Sequence, residues 1–305
     1  MTHLLDIDDL KKSDITSILK FAKEIKQSKI GGKTQPLLSG KTLAMLFQKP
    51  STRTRVSFEV GMNMLKGDAV LLDPSQLQLS RGESLSDTTK SLSLYVDAIM
   101  VRVIDHSFLQ QLSSTSPIPV INGLSDKAHP CQSLADLLTI DETFGGFNTH
   151  AAWVGDGNNV SNSFARACSI MGIDLTVATP KGYGLSAETL SILESSSISL
   201  TITNDPKEAV SEADVVYTDT WISMGDETTR EKRLSDFSGF QINSTLLEKT
   251  EASVMHCLPA HRNEEISTDV LDGNRSLVWA QAENRLYAQN GLLVFLLNPS
   301  QYVDI

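Results

Sequence analysis

The stretch from Lys41 to Gly67 constrains the fold of this chain more than any other. Lys41-Thr42-Leu43-Ala44-Met45-Leu46-Phe47 is an apolar run of strand length and reads as a buried strand. Gln48-Lys49-Pro50-Ser51-Thr52-Arg53-Thr54-Arg55 follows at once. Val56, Val60 and Met64 then share one helical face, with Phe58, Met62 and Leu65 beside it, until Gly67 stops the pattern. A polar cluster therefore sits at a strand-to-helix turn, with three hydroxyls and two guanidinium groups in five residues. The first N–H groups of the helix point the same way and add the positive end of its dipole. Guanidinium forks match the spacing of phosphate oxygens, and hydroxyls fill the remaining acceptor sites. The plainer alternative is a capped helix with two solvated arginines. Two arginines at the positive end of a helix are unfavourable unless an anion is present. No Gly-x-x-x-x-Gly-Lys run surrounds them, so a small phosphorylated ligand is expected and a nucleotide is not.

The rest of the chain alternates strands and helices, the sign of parallel sheets with crossovers. A helix is expected over Asp14–Ile25, ended by Gly31-Gly32. Strands are expected over Ala69–Leu72, Ala98–Val103 and Pro119–Asn122, with a polar surface loop over Ser75–Asp87 and a helix over Thr88–Val96. A helix from Gln132 to Phe144 leads to Gly145-Gly146, a candidate domain boundary. Beyond it strands are expected over Ala151–Val154, Leu175–Ala178, Ser199–Ile202, Val215–Thr218 and Val254–His256. Helices are expected over Asn159–Met171, Ser186–Leu193, Pro206–Glu212 and Gln281–Leu297. The reading is an α/β chain of two domains, each a parallel β-sheet flanked by helices, with the active site in the cleft between them. The boundaries are 1–130 and 149–285, with 131–148 as interdomain helix and linker and 286–305 packing back on the first domain. A chain of 305 residues is long enough for about two domains.

A net charge of -11 argues against nucleic acid or an anionic membrane as partner, so an anionic substrate must be drawn by a local basic site. No apolar stretch approaches the ~20 residues that span a bilayer. Met1-Thr2-His3-Leu4-Leu5-Asp6 lacks the basic leader and apolar core of a signal peptide. Three widely spaced cysteines, Cys131, Cys168 and Cys257, fit free thiols in a reducing cytoplasm.

In open α/β sheets ligands sit at the carboxyl ends of strands, and the unusual polar residues fall there. Arg102 closes one strand, and His129-Pro130-Cys131-Gln132 precedes the interdomain helix. Asp156-Gly157-Asn158-Asn159, Asp219 to Gly225 and Cys257-Leu258-Pro259-Ala260-His261-Arg262 each follow a strand. Each has a bland reading: His129 as a helix cap, Cys257 as a small buried apolar group, Asp219 as a solvated carboxylate. The cationic neighbours His256, His261 and Arg262 favour a thiolate at Cys257. Zinc at Cys257 is disfavoured, because no second Cys or His pair has metal spacing. Gly155-Asp156-Gly157-Asn158-Asn159-Val160 approaches the dinucleotide fingerprint, but Val160 replaces the third glycine. The next strand ends in Thr179-Pro180 without an acidic ribose partner, so NAD is set aside.

These motifs, in this order, resemble the aspartate/ornithine transcarbamylase family over essentially the whole chain. Phe47–Met62 is similar to its carbamoyl-phosphate motif and His129–Gln132 to its second signature. Asp219-x-Trp221-x-Ser223-Met224-Gly225 and His256–Arg262 resemble the two motifs of the ornithine branch. The resemblance implies transfer of the carbamoyl group of carbamoyl phosphate to the δ-amine of ornithine, without metal or cofactor. It implies that Ser51, Thr52, Arg53 and Thr54 hold the phosphate, with Arg55 supporting the loop. Arg102, His129 and Gln132 would bind the carbamoyl end, Gln78 would act across a subunit interface, and Arg285 would complete the site. Asn159, Asp219, Ser223 and Met224 would grip ornithine, with Cys257 and the Leu258 backbone beside the reacting centre. Arg102, His129, Asp219 and Cys257 carry the catalysis in this reading. A homotrimer, or a higher assembly of trimers, is implied too. Gln48 departs from the Glu of many relatives and Asn263 from the usual Gly, which implies altered loop packing and unaltered chemistry. The alternatives are a transcarbamylase for aspartate, putrescine or a modified ornithine, an NAD-linked oxidoreductase, and a catalytically silent relative.

Overall fold

The computed structural model describes residues 3–32, 35–73, 75, 77–222 and 227–298. The chain divides into two units, Met1–Leu138 with Asn284–Ile305, and Thr139–Glu283.

The first unit begins with α1 (Lys12–Ile30), β1 (Thr42–Phe47), α2 (Thr52–Met64) and β2 (Asp68–Leu72). It continues through α3 (Leu85–Leu92), β3 (Ala98–Arg102), α4 (His106–Thr115), β4 (Val120–Leu124) and the start of α5 (Pro130–Phe144). Its four strands are parallel in the order β2-β1-β3-β4. Parallel sheets need cover on both faces, which is why β1 and β3 are near-continuous apolar runs, buried through their middles. The chain starts at β1, adds β2 on one side, then crosses to β3 and β4 on the other. The reversal falls between β1 and β3, where Phe47 pairs with Arg102.

The sequence left the buried face of α2 open, and two further expectations need correction. Val56 and Val60 are 51% and 40% exposed, and α2 instead buries Thr54, Phe58, Gly61 and Met62. Both arcs of α2 are apolar, so periodicity alone does not choose between them; the glycine does. A Cβ on Gly61 would lie 2.1 Å from Asn290 Oδ1, so that face must be the one in contact. The segment Ser75–Asp87 is not aperiodic throughout, since Gln78–Arg81 forms a 3-10 turn. The helix expected over Thr88–Val96 begins earlier, at Leu85, because the Ser84 side chain accepts from Asp87 N and caps it. The helix α4, capped by Asp105, had no counterpart among the expected elements.

The second unit holds β5 (His150–Val154), α6 (Asn159–Met171), β6 (Asp174–Ala178), α7 (Ala187–Glu194) and β7 (Leu200–Thr203). Then come α8 (Pro206–Val210), β8 (Val215–Thr218), α9 (Arg230–Asp236), β9 (Ser253–His256), α10 (Thr268–Leu271) and the start of α11 (Val278–Leu297). Its five parallel strands run β7-β6-β5-β8-β9, with the reversal between β5 and β8. The core on this sheet includes Ala152, Val154, Val216, Val254, Trp221 and Phe237. The 20-residue helix α11 returns the chain to the first unit at Asn284. There it buries Asn284, Arg285, Gln289 and Asn290.

At Gly291 the helix α11 passes close to α1: an added Cβ would sit 2.2 Å from the Ile18 carbonyl oxygen and 3.0 Å from Ala22 N. Both obstacles are helical backbone and cannot swing aside. Gly291→Ala is therefore expected to destabilise the first unit by about 1–3 kcal/mol, read as a lower urea midpoint; an unchanged midpoint would contradict this contact.

Candidate functional site

The strand order places one cluster of polar side chains at the carboxyl end of each sheet, at its reversal point. In the first unit, Ser51 caps α2, its Oγ accepting from Thr54 N at 3.3 Å. No acidic residue occupies the first turn of α2, so nothing in that turn offsets the helix dipole or the exposed Arg53. Arg55 reaches Glu59 at 3.6 Å. Thr54 points inward and is buried, with Arg285 Nη2 donating to its Oγ1 at 3.2 Å. Arg285 Nη1 donates to Gln132 Oε1 at 2.8 Å, and Gln132 Nε2 donates to Asp136 Oδ1 at 2.8 Å. All four of these side chains are buried.

Arg102 is buried at the end of β3, and His129 is buried ahead of α5. Burial, followed by the charges of Arg285 and Arg102, holds the His129 imidazole well below its ordinary range, so it is neutral at pH 7. A neutral imidazole here can donate a hydrogen bond without adding a third positive charge. Cys131, next but one, is buried and pushed up to about 12, so it stays a thiol. Gln78 is exposed on its 3-10 turn and accepts from Arg81 at 3.4 Å.

In the second unit, Thr218 pairs with His256, which sets the following residues Asp219 and Cys257 side by side. Cys257 Sγ donates to Asp219 Oδ1 at 2.9 Å, and Asn158 Nδ2 donates to Asp219 Oδ2 at 2.8 Å. Asn158 also caps α6, its Oδ1 accepting from Val160 N and Ser161 N. Leu258 follows with a left-handed φ of 57°, its N–H donating to His256 Nδ1 at 2.9 Å. Arg233 Nη1 donates to both Asp156 Oδ2 and the Trp221 carbonyl, each at 2.9 Å. Asn159 is the first residue of α6, while Ser223 and Met224 lie outside the described residues.

The structure thus gathers Thr54, Gln132 and Arg285 into one contact network, and Asp219 and Cys257 into another. Sequence reasoning missed Asp136 and the direct role of Asn158. The i,i+4 spacing of Gln132 and Asp136 on a helix was the available signal for the first. The dinucleotide lookalike also receives a physical account. A Cβ on Gly157 would fall 2.1 Å from the Gly184 carbonyl oxygen, and Gly157 N donates to the Tyr183 carbonyl at 2.8 Å. The space a pyrophosphate would need beside this glycine is filled by the protein's own backbone. Ligand atoms of Asp219, His256 and Cys257 lie within 4.8 Å of one another, as a metal site would require. Both His256 nitrogens are engaged, however, Nδ1 by Leu258 N and Nε2 by Glu265 Oε1, so no imidazole lone pair is offered.

Two family models cover most of the chain. "Aspartate/ornithine carbamoyltransferase, carbamoyl-P binding domain" matches residues 2–142, and "Aspartate/ornithine carbamoyltransferase, Asp/Orn binding domain" matches 148–296. The chain belongs to the aspartate/ornithine carbamoyltransferase family. It is 53% identical to an ornithine carbamoyltransferase of Haloquadratum walsbyi over 300 residues, 98% of this chain and 99% of that one. It is 48% identical to that of Bacillus subtilis, over 96% of this chain and 93% of the relative. Among solved structures, ornithine carbamoyltransferase from Pyrococcus furiosus superposes with a TM-score of 0.92 at 48% identity. That match covers 97% of this chain and 96% of the other.

The neutral His129 has a consequence for stability. Its folded value lies below 6.5, so the unfolded chain takes up a proton that the folded chain refuses. Stability is fully present above pH ~6.5 and falls as pH drops below it, by up to about 1.4 kcal/mol per pH unit until the folded value is reached. Urea melts at pH 7.5 and 5.5 should show His129→Gln losing less stability on acidification than the wild type; equal losses would contradict the neutral assignment.

Proposed function

We propose that this chain transfers the carbamoyl group of carbamoyl phosphate to the δ-amine of L-ornithine, giving L-citrulline and phosphate. The observation that carries the reading is the pair of polar clusters at the two sheet reversals, one cationic and one built on a carboxylate and a thiol. In this reading residues 1–130 bind carbamoyl phosphate and 149–285 bind ornithine. Residues 131–148 join the two, and 286–305 belong with the first.

Ser51, Thr52, Arg53 and Thr54 hold the phosphate at the start of α2, where the dipole and the guanidinium groups favour a dianion. Arg285 and Gln132 fix Thr54 and the carbamoyl end. Gln78, exposed in the single chain, reaches a neighbouring subunit's site. Arg102 and neutral His129 polarise the carbamoyl carbonyl, and the oxyanion formed on attack falls to them and to Thr54. The acceptor amine is protonated at neutral pH and must lose a proton to attack. Asp219 and Cys257 orient that ammonium group, and the Asp219 carboxylate, held by Asn158 and Cys257, accepts the proton whose loss frees the amine to attack. Cys257 and the Leu258 backbone face the carbamoyl carbon, and Asn159, Ser223 and Met224 grip the amino-acid head. The C–N bond forms, the C–O bond to phosphate breaks, and the phosphate takes the proton given up by the new amide nitrogen and leaves into the Arg53 cluster. Carbamoyl phosphate is already activated, so the step requires neither metal nor organic cofactor.

A homotrimer, alone or in a higher assembly, and a cytoplasmic setting complete the reading. Exposed apolar residues of the first unit, Val56, Val60, Val70 and Leu71, suit a contact between copies. Among the described residues no helix is long and apolar enough to cross a membrane.

Purified protein with carbamoyl phosphate should form citrulline with ornithine and leave aspartate and putrescine unreacted. Turnover with either of those alone would overturn the acceptor assignment. Arg102→Ala should lower kcat by on the order of 10²–10³ with the fold retained by circular dichroism; near-normal turnover would remove Arg102 from the mechanism.

A further inference from the structure

We propose that Glu265, acting through His256, is the positioning pair that sets the Cys257–Leu258 turn of the active site. The proposal rests on the reading of Cys257 as part of that site.

The argument begins with a fully buried carboxylate. Glu265 and His256 have no exposed surface. A carboxylate is costly to bury unless it is hydrogen-bonded or paired. Glu265 Oε1 accepts from His256 Nε2 at 3.0 Å and from the His261 backbone N–H at 2.5 Å. The other ring nitrogen, Nδ1, faces the Leu258 backbone N–H at 2.9 Å. A backbone N–H can only donate, so Nδ1 must carry a lone pair. The ring proton then sits on Nε2 and points at Glu265. The carboxylate thus selects one tautomer of His256, and that tautomer alone can accept from Leu258. The main chain of His256 is fixed as well, its N–H donating to the buried Gln281 Oε1 at 2.9 Å.

What this relay holds is not a relaxed conformation. Leu258 has a φ of 57°, the left-handed region that disfavours a residue with a Cβ. The hydrogen bond from its N–H to His256 offsets that cost. Cys257 lies between the two bonded residues, and its Sγ is placed 2.9 Å from Asp219 Oδ1. Among the hydrogen bonds of Glu265 and His256 none reaches Asp219 or the Cys257 sulfur, so they act by position and not by contact.

Cys257 itself reports on the turn. It is half-buried, whereas Cys131 and Cys168 are buried, so a small alkylating reagent should read Cys257 selectively. The test compares full-length wild type, Glu265→Gln, Glu265→Ala and His256→Asn. Iodoacetamide labelling is followed by mass spectrometry at Cys257, beside kcat and KM for each substrate. In Glu265→Gln the amide oxygen still accepts both N–H groups. His256→Asn keeps an acceptor near Leu258 N but loses the link to Glu265.

Glu265→Gln should stay within about threefold of wild type in both readouts. Glu265→Ala should change the Cys257 labelling rate about tenfold and lower kcat at least tenfold, with KM for carbamoyl phosphate within about twofold. His256→Asn should fall between them. Wild-type labelling and kcat in folded Glu265→Ala would overturn the proposal, as would a Glu265→Gln protein as impaired as the alanine variant. If Glu265→Ala does not fold, unchanged labelling and kcat in His256→Asn would overturn it as well. Because labelling needs no substrate, it still reads the turn if the ornithine assignment fails.

Discussion

The arrangement at the start of α2 depends on one buried guanidinium, that of Arg285. Arg285 comes from a helix near the end of the chain, yet its donors end on Thr54 of α2 and Gln132 of α5. Three parts of the sequence are tied at one point, and the tie is directional. A buried guanidinium is costly unless its donors are used, so the two bonds hold Thr54 and Gln132 to a common point. Gln132 is held in turn by Asp136, which fixes the amide so that its oxygen, and not its nitrogen, meets Arg285. The same charge, with burial and Arg102, keeps His129 neutral. One side chain therefore shapes both the geometry at the start of α2 and the protonation state of His129.

The second unit reaches its arrangement by strand register. The Thr218–His256 pair leaves Asp219 and Cys257 as neighbours on leaving the sheet, before any side-chain contact is considered. Asn158, from the loop after β5, closes on the same carboxylate from the far side of the reversal. The two sheets share a plan: a central strand, an outward walk to one side, and a return past the start to the other. That plan leaves open strand ends at the reversal, where the backbone is not yet committed to a ladder and side chains converge from non-consecutive strands.

Much of this was legible in the sequence, because parallel sheets write themselves as short apolar runs between amphipathic segments. The strand Val215–Thr218 and the helix Asn159–Met171 were read with their observed limits. The polar residues that follow strands named most of both clusters. What stayed hidden depended on partners distant in sequence. Nothing local says that Val56 and Val60 face outward while Gly61 faces α11; that choice belongs to Asn290, far along the chain. Nothing local marks Glu265 as buried, since its burial is set by partners elsewhere in the fold. Asn158 and Asn159 are adjacent and alike, and only the cap of α6 shows which one turns back to Asp219.

The departure at Asn263 illustrates how a local rule is kept when a residue changes. The resemblance led to glycine at this position, and the structure gives Asn263 a φ of 67°. Glycine adopts that conformation without strain, and asparagine is the side-chain-bearing residue that tolerates it best. Its Oδ1 then accepts from Thr268 N at 3.2 Å, ahead of the short helix α10, while its own N–H donates to the Ile266 carbonyl at 2.7 Å. The turn that carries Glu265 inward is therefore kept by a hydrogen bond where glycine would keep it by backbone freedom alone. The constraint acts on the backbone path from His261 to Ile266, so sequence change there is tolerated only where that path survives. The hydrogen bonds of Asn263 run to Ile266, Thr268 and Gln241, while the adjacency of Asp219 and Cys257 comes from the Thr218–His256 register.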